Sequence, residues 1–346
     1  MTGIDRRTFV RGAAAGIIFA PSIARAASKV TLGIVNTISD APYFIADANG
    51  YFKAEGLDVE IISFPSGSKM IASLSTGDLD VSGGAISAGL YNANERDIAI
   101  KIVADKARNA PGYGFQSLLV RADLLDSKAF TSLADLKGRK LAIPAVGSAG
   151  EQSTLNEACK VGKIAFDDVE RVYLSVSDQM AGLSNKAIDA TLVAEPVVSL
   201  AEQRGIARRF MTVDQMYPNQ QAAVTTYGAS FLKKKSEAEA FMRAYLRGVH
   251  DYNDALLNGR LAGRDADNVI KIIMKYAGFA NEGILRNVIP SACDPEGAPN
   301  MAGMQKDLSF VQSLGLVDKK LTAETVVDLS FLTAARAVVG PYVRRA

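Results

Sequence analysis

Two short runs of small residues offer the clearest chemistry in this 346-residue chain, Ser66-Gly67-Ser68 and Gly147-Ser148-Ala149-Gly150. Each opens a stretch with helical spacing. The first amides of a helix lack intrahelical acceptors and sit at the positive end of the dipole, so both runs suit a carboxylate, sulfonate or other anionic head. Each also reads as an ordinary capped helix start. Glu195, just before Pro196, can accept from a donor on a ligand or bond across to another part of the chain. An acid in a pocket argues against a bare inorganic anion such as nitrate, which it would repel. Tyr43, Phe115 and Tyr217 can stack on a flat ligand or belong to a core. Lys69 reads as a surface lysine. His250, the only histidine, lies on a long amphipathic pattern and reads as a packing or surface residue. One histidine and two distant cysteines, Cys159 and Cys293, make no metal-ligand cluster. No Ser/His/Asp constellation or phosphate loop is evident, and no cofactor is expected.

The elements that must position these residues alternate. Lys29–Val35 and Val59–Phe64 read as strands. A helix from Tyr43 to Glu55, interrupted at Asn49-Gly50, lies between them and stops at Gly56. The stretch Met70 to Ala85 is a helix closed by Gly77, a turn, and a strand ending in Gly83-Gly84, where something can approach the backbone closely. Ile86–Arg96 follows as a helix and Ile98–Ala104 as a fourth strand. About 110 residues on, Met180 to Pro196 repeats the Met70 stretch, with Leu183, Ile188 and Asp189 over Leu74, Leu79 and Asp80. Generic α/β alternation can also produce such register. Extended crossings near 113–120 and 221–228 suggest an inserted second lobe, residues 120–220, in a first lobe of 29–115 plus 225–346, with the crossings as hinge. Helices at 237–257, 266–277, 304–314 and 322–338 form a tail long enough to pack on the first lobe.

Arg6-Arg7-Thr8-Phe9-Val10-Arg11, an apolar run and Ala24-Arg25-Ala26 read as a twin-arginine export signal over residues 1–26, which implies a periplasmic protein. Without it the chain holds 35 basic and 36 acidic residues. That balance gives no footprint for nucleic acid or an anionic membrane. The cysteines, in different lobes, read as buried thiols rather than a disulfide.

The run Ala41-Pro42-Tyr43-Phe44 to Val59, the Met70 stretch, Leu133 to Ile143, Tyr245-Leu246-Arg247-Gly248-Val249 and Asp328 to Ala335 together resemble the periplasmic solute-binding proteins of ABC importers. The branch they resemble binds sulfonates, taurine, nitrate and thiamine-pyrimidine precursors. The resemblance implies an α/β fold of the type II periplasmic binding protein class, two lobes on a two-strand hinge with the helical C-terminal segment packed on lobe 1. It implies a ligand between the lobes at the C-terminal ends of strands: Ser39, Asp40, Tyr43, Ser66, Gly67, Ser68, Gly84 and Ala85 on the first lobe, and Gly147, Ser148, Ala149, Gly150 and Glu195 on the second, with Phe115 and Tyr217 near the crossings. The implied partners are a small organic solute (sulfonate, carboxylate or pyrimidine-like) and an ABC permease, for a protein that is a monomer and no enzyme. The rival readings are an enzyme resembling thiamine-pyrimidine synthase, whose cysteine-rich motif is absent, and a ligand-sensing partner of a membrane receptor.

Overall fold

The computed structural model describes residues 27–345; the expected export signal over 1–26 lies outside them. Ten strands build two sheets: β1 (Ser28–Ile34), β2 (Leu57–Ser63), β3 (Val81–Gly84), β4 (Lys101–Asn109), β5 (Gln116–Arg121), β6 (Lys140–Ile143), β7 (Glu170–Tyr173), β8 (Ala190–Ala194), β9 (Ala207–Thr212) and β10 (Gln220–Tyr227). The first sheet has the order β2-β1-β3-β10-β4 and the second β7-β6-β8-β5-β9. In each, three parallel strands are followed by one that runs antiparallel to both of its neighbours, β10 in the first sheet and β5 in the second. This is the type II periplasmic binding protein fold: two α/β lobes, with helices between the strands.

The two lobes repeat one plan down to a single hydrogen bond. Asp80 Oδ2 accepts from the Thr31 backbone N–H at 3.0 Å, and Asp189 Oδ2 accepts from the Lys140 backbone N–H at 3.0 Å, each across 49 residues of chain. Both acids stand just before the central strand of their sheet, β3 or β8, and tie its entry to the neighbouring strand, β1 or β6. The spacing between Leu79-Asp80 and Ile188-Asp189 therefore reflects a repeated structural unit.

Between the strands run helices α1 (Ala41–Ala48), α2 (Gly67–Thr76), α3 (Ala88–Glu95), α4 (Ala149–Gly162) and α5 (Val176–Ser184). Gly77 ends α2 at φ 88°, its amide bonded back to the Ser73 carbonyl at 3.1 Å, as a left-handed cap requires. The tail adds α6 (Lys235–Ala255), α7 (Met301–Ser313) and α8 (Ser330–Val339). Helix α6 buries Phe241, Tyr245, Val249 and Tyr252 in the core of the first lobe. Tyr43 and Tyr245 lie 4.7 Å apart between ring centroids, and the Tyr245 hydroxyl donates to the Asp105 carbonyl at 2.7 Å.

Three expectations are corrected. The crossings lie at 110–115 and 213–219 instead of 113–120 and 221–228, because Gln116–Arg121 is already β5 of the second sheet and Gln220–Tyr227 already β10 of the first, each paired on both sides. The fourth strand continues past Ala104 to Asn109: its charged residues Asp105 and Lys106 are buried because each finds a buried partner, Gln221 at 2.7 Å and Asp40 at 2.8 Å. The last expected helix is broken. Ala323–Val326 is a 3-10 turn, and Val327 and Asp328 then bond alongside Ile102 of β4 before α8 begins. Moreover, α7 does not serve the first lobe alone. It lies against α4 of the second, with Lys306 Nζ 2.9 Å from Glu157 Oε2 and Phe310 edge-on to Phe166.

Gly248 is where α6 crosses α1. A Cβ there would fall on the Pro42 carbonyl oxygen and within 3.1 Å of the Ala46 Cβ, backbone and core atoms that have nowhere to go. Gly248→Ala should lower the free energy of unfolding by about 1–3 kcal/mol in urea titrations. Gly89→Ala on α3, where the nearest atom stands 3.5 Å from the added carbon, should be neutral or stabilise by up to about 1 kcal/mol. Equal costs at both positions would refute this account of the crossing.

Candidate functional site

The two lobes meet along a short seam of main chain. Ser87 and Ser148 form an antiparallel bridge; the Ala88 N–H donates to the Gly147 carbonyl at 2.8 Å and the Ala149 N–H to the Ile86 carbonyl at 3.2 Å. On the other side the Ile38 N–H donates to the Glu195 carbonyl at 3.2 Å. Between these contacts lies a cavity of about 60 Å³ at the C-terminal ends of the strands. That is room for several waters or a small solute.

Polar groups reach the cavity from both sides. The first lobe supplies Thr37, Ser39, Ser66, Gly67, Ser68, Ser87 and Lys106; the second supplies Ser148 and Glu151; Gln116 comes from β5. Val35, Ile86, Phe115, Leu192 and Val193 form apolar walls. Lys106 is held by Asp40 Oδ1 at 2.8 Å and donates to Ser39 Oγ at 2.9 Å, while Asp40 Oδ2 accepts from the Thr37 N–H at 2.8 Å. Both side chains of this ion pair are fully buried. Burying two charges is costly, and removing either leaves the other unpaired, so the pair fixes Ser39 and the loop before α1 in place. Glu151, in the first turn of α4, is also buried, and its Oε2 has no hydrogen-bond partner. Burial pushes its carboxyl up from the usual range, opposed only by its own backbone N–H. Ser87 Oγ is likewise buried and unpartnered.

Of the residues expected at the site, Ser39, Ser66, Gly67, Ser68, Ala85, Phe115 and Ser148 line the cavity. Asp40 stands behind it as the partner of Lys106. The others lie elsewhere, each for a visible reason. Tyr43 is core: its ring packs on Tyr245 and its hydroxyl bonds Thr225 at 2.7 Å. Gly84 is approached by its own chain, since a Cβ there would stand 2.8 Å from Gly67 Cα. Gly147 and Ala149 have spent their backbone groups on the seam, and Gly150 is covered by the Gln220 amide. The start of α4 is thus no open anion cradle. Glu195 stays within the second lobe, accepting from the Ser199 N–H and hydroxyl, each at 3.0 Å, and from Arg209 at 2.6 Å; only its main chain crosses to the first lobe. Tyr217 points away from the cavity, its hydroxyl donating to Asp307 of α7 at 2.8 Å with Lys306 over its ring.

Lys106, Ser87 and Glu151 were not anticipated from sequence. Lys106 falls beyond the point where β4 was expected to end. Ser148-x-x-Glu151 has the spacing of a capping box, in which the acid would turn back to its own helix. His250 sits on α6 beside Tyr342, with Tyr342, Asp251 and Asp254 joined to Arg345 in a cluster near the C-terminus, and burial lowers its imidazole below the usual value. Both cysteines are free and buried. Among the described residues no group of three or more His, Cys, Asp or Glu could hold a metal ion, and no helix is long and apolar enough to cross a membrane.

A family described as NMT1/THI5 like matches residues 38–254, both lobes and the start of the tail. The chain belongs to the NMT1/THI5-like family. Proteins of Brucella abortus strain 2308 and Brucella suis biovar 1, each with a provisional binding-protein designation, are 28% identical over 202 residues, 58% of this chain. The match spans 58% of the length of each of those relatives. The ligand-binding component of an ABC-type import system from Staphylococcus aureus, solved with zinc bound, superposes with a TM-score of 0.71 at 17% identity over 89% of this chain and 99% of its own. The nitrate-binding protein of Synechocystis PCC 6803 gives 0.71 at 15% identity, over 90% of this chain and 89% of its own. The alkanesulfonate-binding protein of Xanthomonas axonopodis pv. citri, bound to MOPS, gives 0.62 at 15%, over 89% and 97%. At these identities the likeness is one of fold, and it covers the lobes and tail of this NMT1/THI5-like chain together.

Asp307 gives the interlobe contact a pH dependence. It is fully buried, and burial raises its carboxyl to about 7, opposed by bonds from Ser153, Tyr217 and Gln220. An unfolded aspartate titrates near 3.9. Between those values the folded chain binds the proton and the unfolded chain does not, so this group's contribution to stability is greatest at the acid end and is lost as pH rises through 7. Burial pushes Glu151, Glu195 and Asp105 in the same direction. Replacing Asp307 by Asn should therefore shrink, without abolishing, the loss of stability between pH 5 and pH 8, by on the order of 2 kcal/mol. Denaturant midpoints for the wild type and Asp307→Asn at both pH values measure it; parallel pH profiles would show that Asp307 ionises as an ordinary carboxylate.

Proposed function

We propose that this protein is the extracytoplasmic solute-binding component of an ABC importer. It captures a small organic solute between its lobes and presents the closed form to a permease, working as an exported monomer without covalent chemistry. The observation that carries this reading is the cavity under the interlobe seam, where polar groups of both lobes, some without any partner, converge on a space of solute size. Two crossings, 110–115 and 213–219, link the sheets, which suits a hinge. A ligand that touches both lobes binds the closed form better than the open one and so shifts the population toward closure. Across the mouth of the cleft the closed form rests on only a few backbone bonds. The single histidine and both cysteines stand away from the cavity, which favours binding over nucleophilic or acid–base chemistry at this site.

Thermal and chemical denaturation of the mature protein with a panel of small carboxylates, sulfonates, amino acids and pyrimidines tests the reading. A true solute at a hundred times its Kd should stabilise by about 2.7 kcal/mol. Ser87→Ala should leave the unliganded melting temperature unchanged, because its hydroxyl bonds nothing there. It should weaken that solute about 3- to 10-fold in calorimetric titration. If no compound in the panel stabilises the protein, the transport reading is wrong.

A further inference from the structure

The cavity holds an uneven set of charges. On the first lobe, Lys106 is neutralised by Asp40. On the second, Glu151 lines the cavity with no basic partner, and its Oε2 is buried and unbonded. Behind it lies the buried carboxyl of Asp307, which offers Glu151 no positive charge either. A buried carboxyl oxygen left without a hydrogen bond is unfavourable until a donor arrives. Opposite, the start of α2 at Ser66-Gly67-Ser68 faces the cavity with helix amides that have no intrahelical acceptor. The two walls are therefore electrostatically unlike: the first lobe offers donors and a balanced ion pair, the second an unbalanced acid.

We propose that the solute carries a protonated amine, and that Glu151 binds it. The proposal rests on the solute-binding reading and names its substrate class. A small zwitterion or amine spans the cleft with its nitrogen against Glu151 and any acceptor group against the start of α2. Closure then brings the acid of one lobe onto a charge held by the other, so the amine also contributes to selecting the closed form. A bare inorganic anion, or an organic anion without a nitrogen, leaves Glu151 unpaired and adds like charge to it, so the site discriminates against both. In this respect the cavity differs from what the name of the nitrate-binding relative would suggest.

Isothermal titration with matched pairs tests this on the mature wild-type protein: taurine against ethanesulfonate, β-alanine against propionate, and ethanolamine against ethylene glycol. Aminated members should bind at least tenfold more tightly than their partners. Glu151→Gln, which keeps shape and loses charge, should reduce that preference to threefold or less while the unliganded protein melts at or above the wild-type temperature. Equal or tighter binding of the amine-free partners overturns the proposal but leaves solute binding intact. A preference that survives Glu151→Gln also overturns it, since the acid would then be acting as a neutral donor or not at all. If neither member of any pair binds, and the wider panel gives no stabilisation either, the solute-binding reading falls and this proposal with it.

Discussion

The seam between Ile86–Ala88 and Gly147–Ala149 is the constraint on which the site depends. Main-chain bonds between two lobes are short and directional, and they leave no freedom in how the loops after β3 and β6 face one another. They consume the carbonyl of Gly147 and the amide of Ala149, so the start of α4 meets the other lobe. The same contact turns Ser148 and Glu151 inward. What would have been an anion cradle becomes a wall carrying an acid, by way of a handful of backbone hydrogen bonds.

Beneath the seam, the buried Lys106–Asp40 pair performs a second task. Two hydrogen bonds offset part of its cost, from Lys106 to Ser39 Oγ and from the Thr37 amide to Asp40. Such a pair contributes little net stability, yet neither partner can move without stranding the other. It anchors the loop entering α1 to β4, across the first sheet, and so holds Ser39 and Thr37 at the cavity. Helix α7 plays a comparable part for the lobes as bodies. Through Asp307, Lys306 and Phe310 it braces the second lobe from the tail of the first, so closure engages the C-terminal helices as well as the cleft.

The repeated plan of the lobes explains where their surfaces diverge. Asp80 and Asp189 make the same bond at the same chain separation, yet the strands they introduce end differently. Gly83 and Gly84 are bare so that Tyr43, Lys106 and Gly67 can lie close, an internal packing need. Glu195 at the equivalent end is paired with Arg209 and hydrogen-bonded by Ser199 inside its own lobe. Neither strand end itself supplies the polar groups that line the cavity. Those come from neighbouring loops and helix starts and from β4 and β5.

By itself the sequence determined the fold class. Period-2 and period-3.6 patterns, the glycine stops and the echo of Leu79-Asp80 in Ile188-Asp189 are local signals, and local signals survive in a single chain. A third of the cavity wall was legible: Ser39, Ser66, Gly67, Ser68, Ala85, Phe115 and Ser148 are where the family resemblance, and with it the rule that α/β sheets bind at strand C-termini, put a ligand. Tertiary structure decided the rest. Tyr43 and Tyr217 went to packing because the tail helices α6 and α7 cover them, a contact between residues far apart in the chain. Lys106 could enter the sheet interior only because Asp40, 66 residues earlier, waited there to pair with it. Glu151 has the spacing of a cap on its own helix, and only the meeting of the lobes makes its unbonded oxygen part of a cavity wall. Burial and pairing of charge are properties of the assembled fold, and no window of sequence contains both partners.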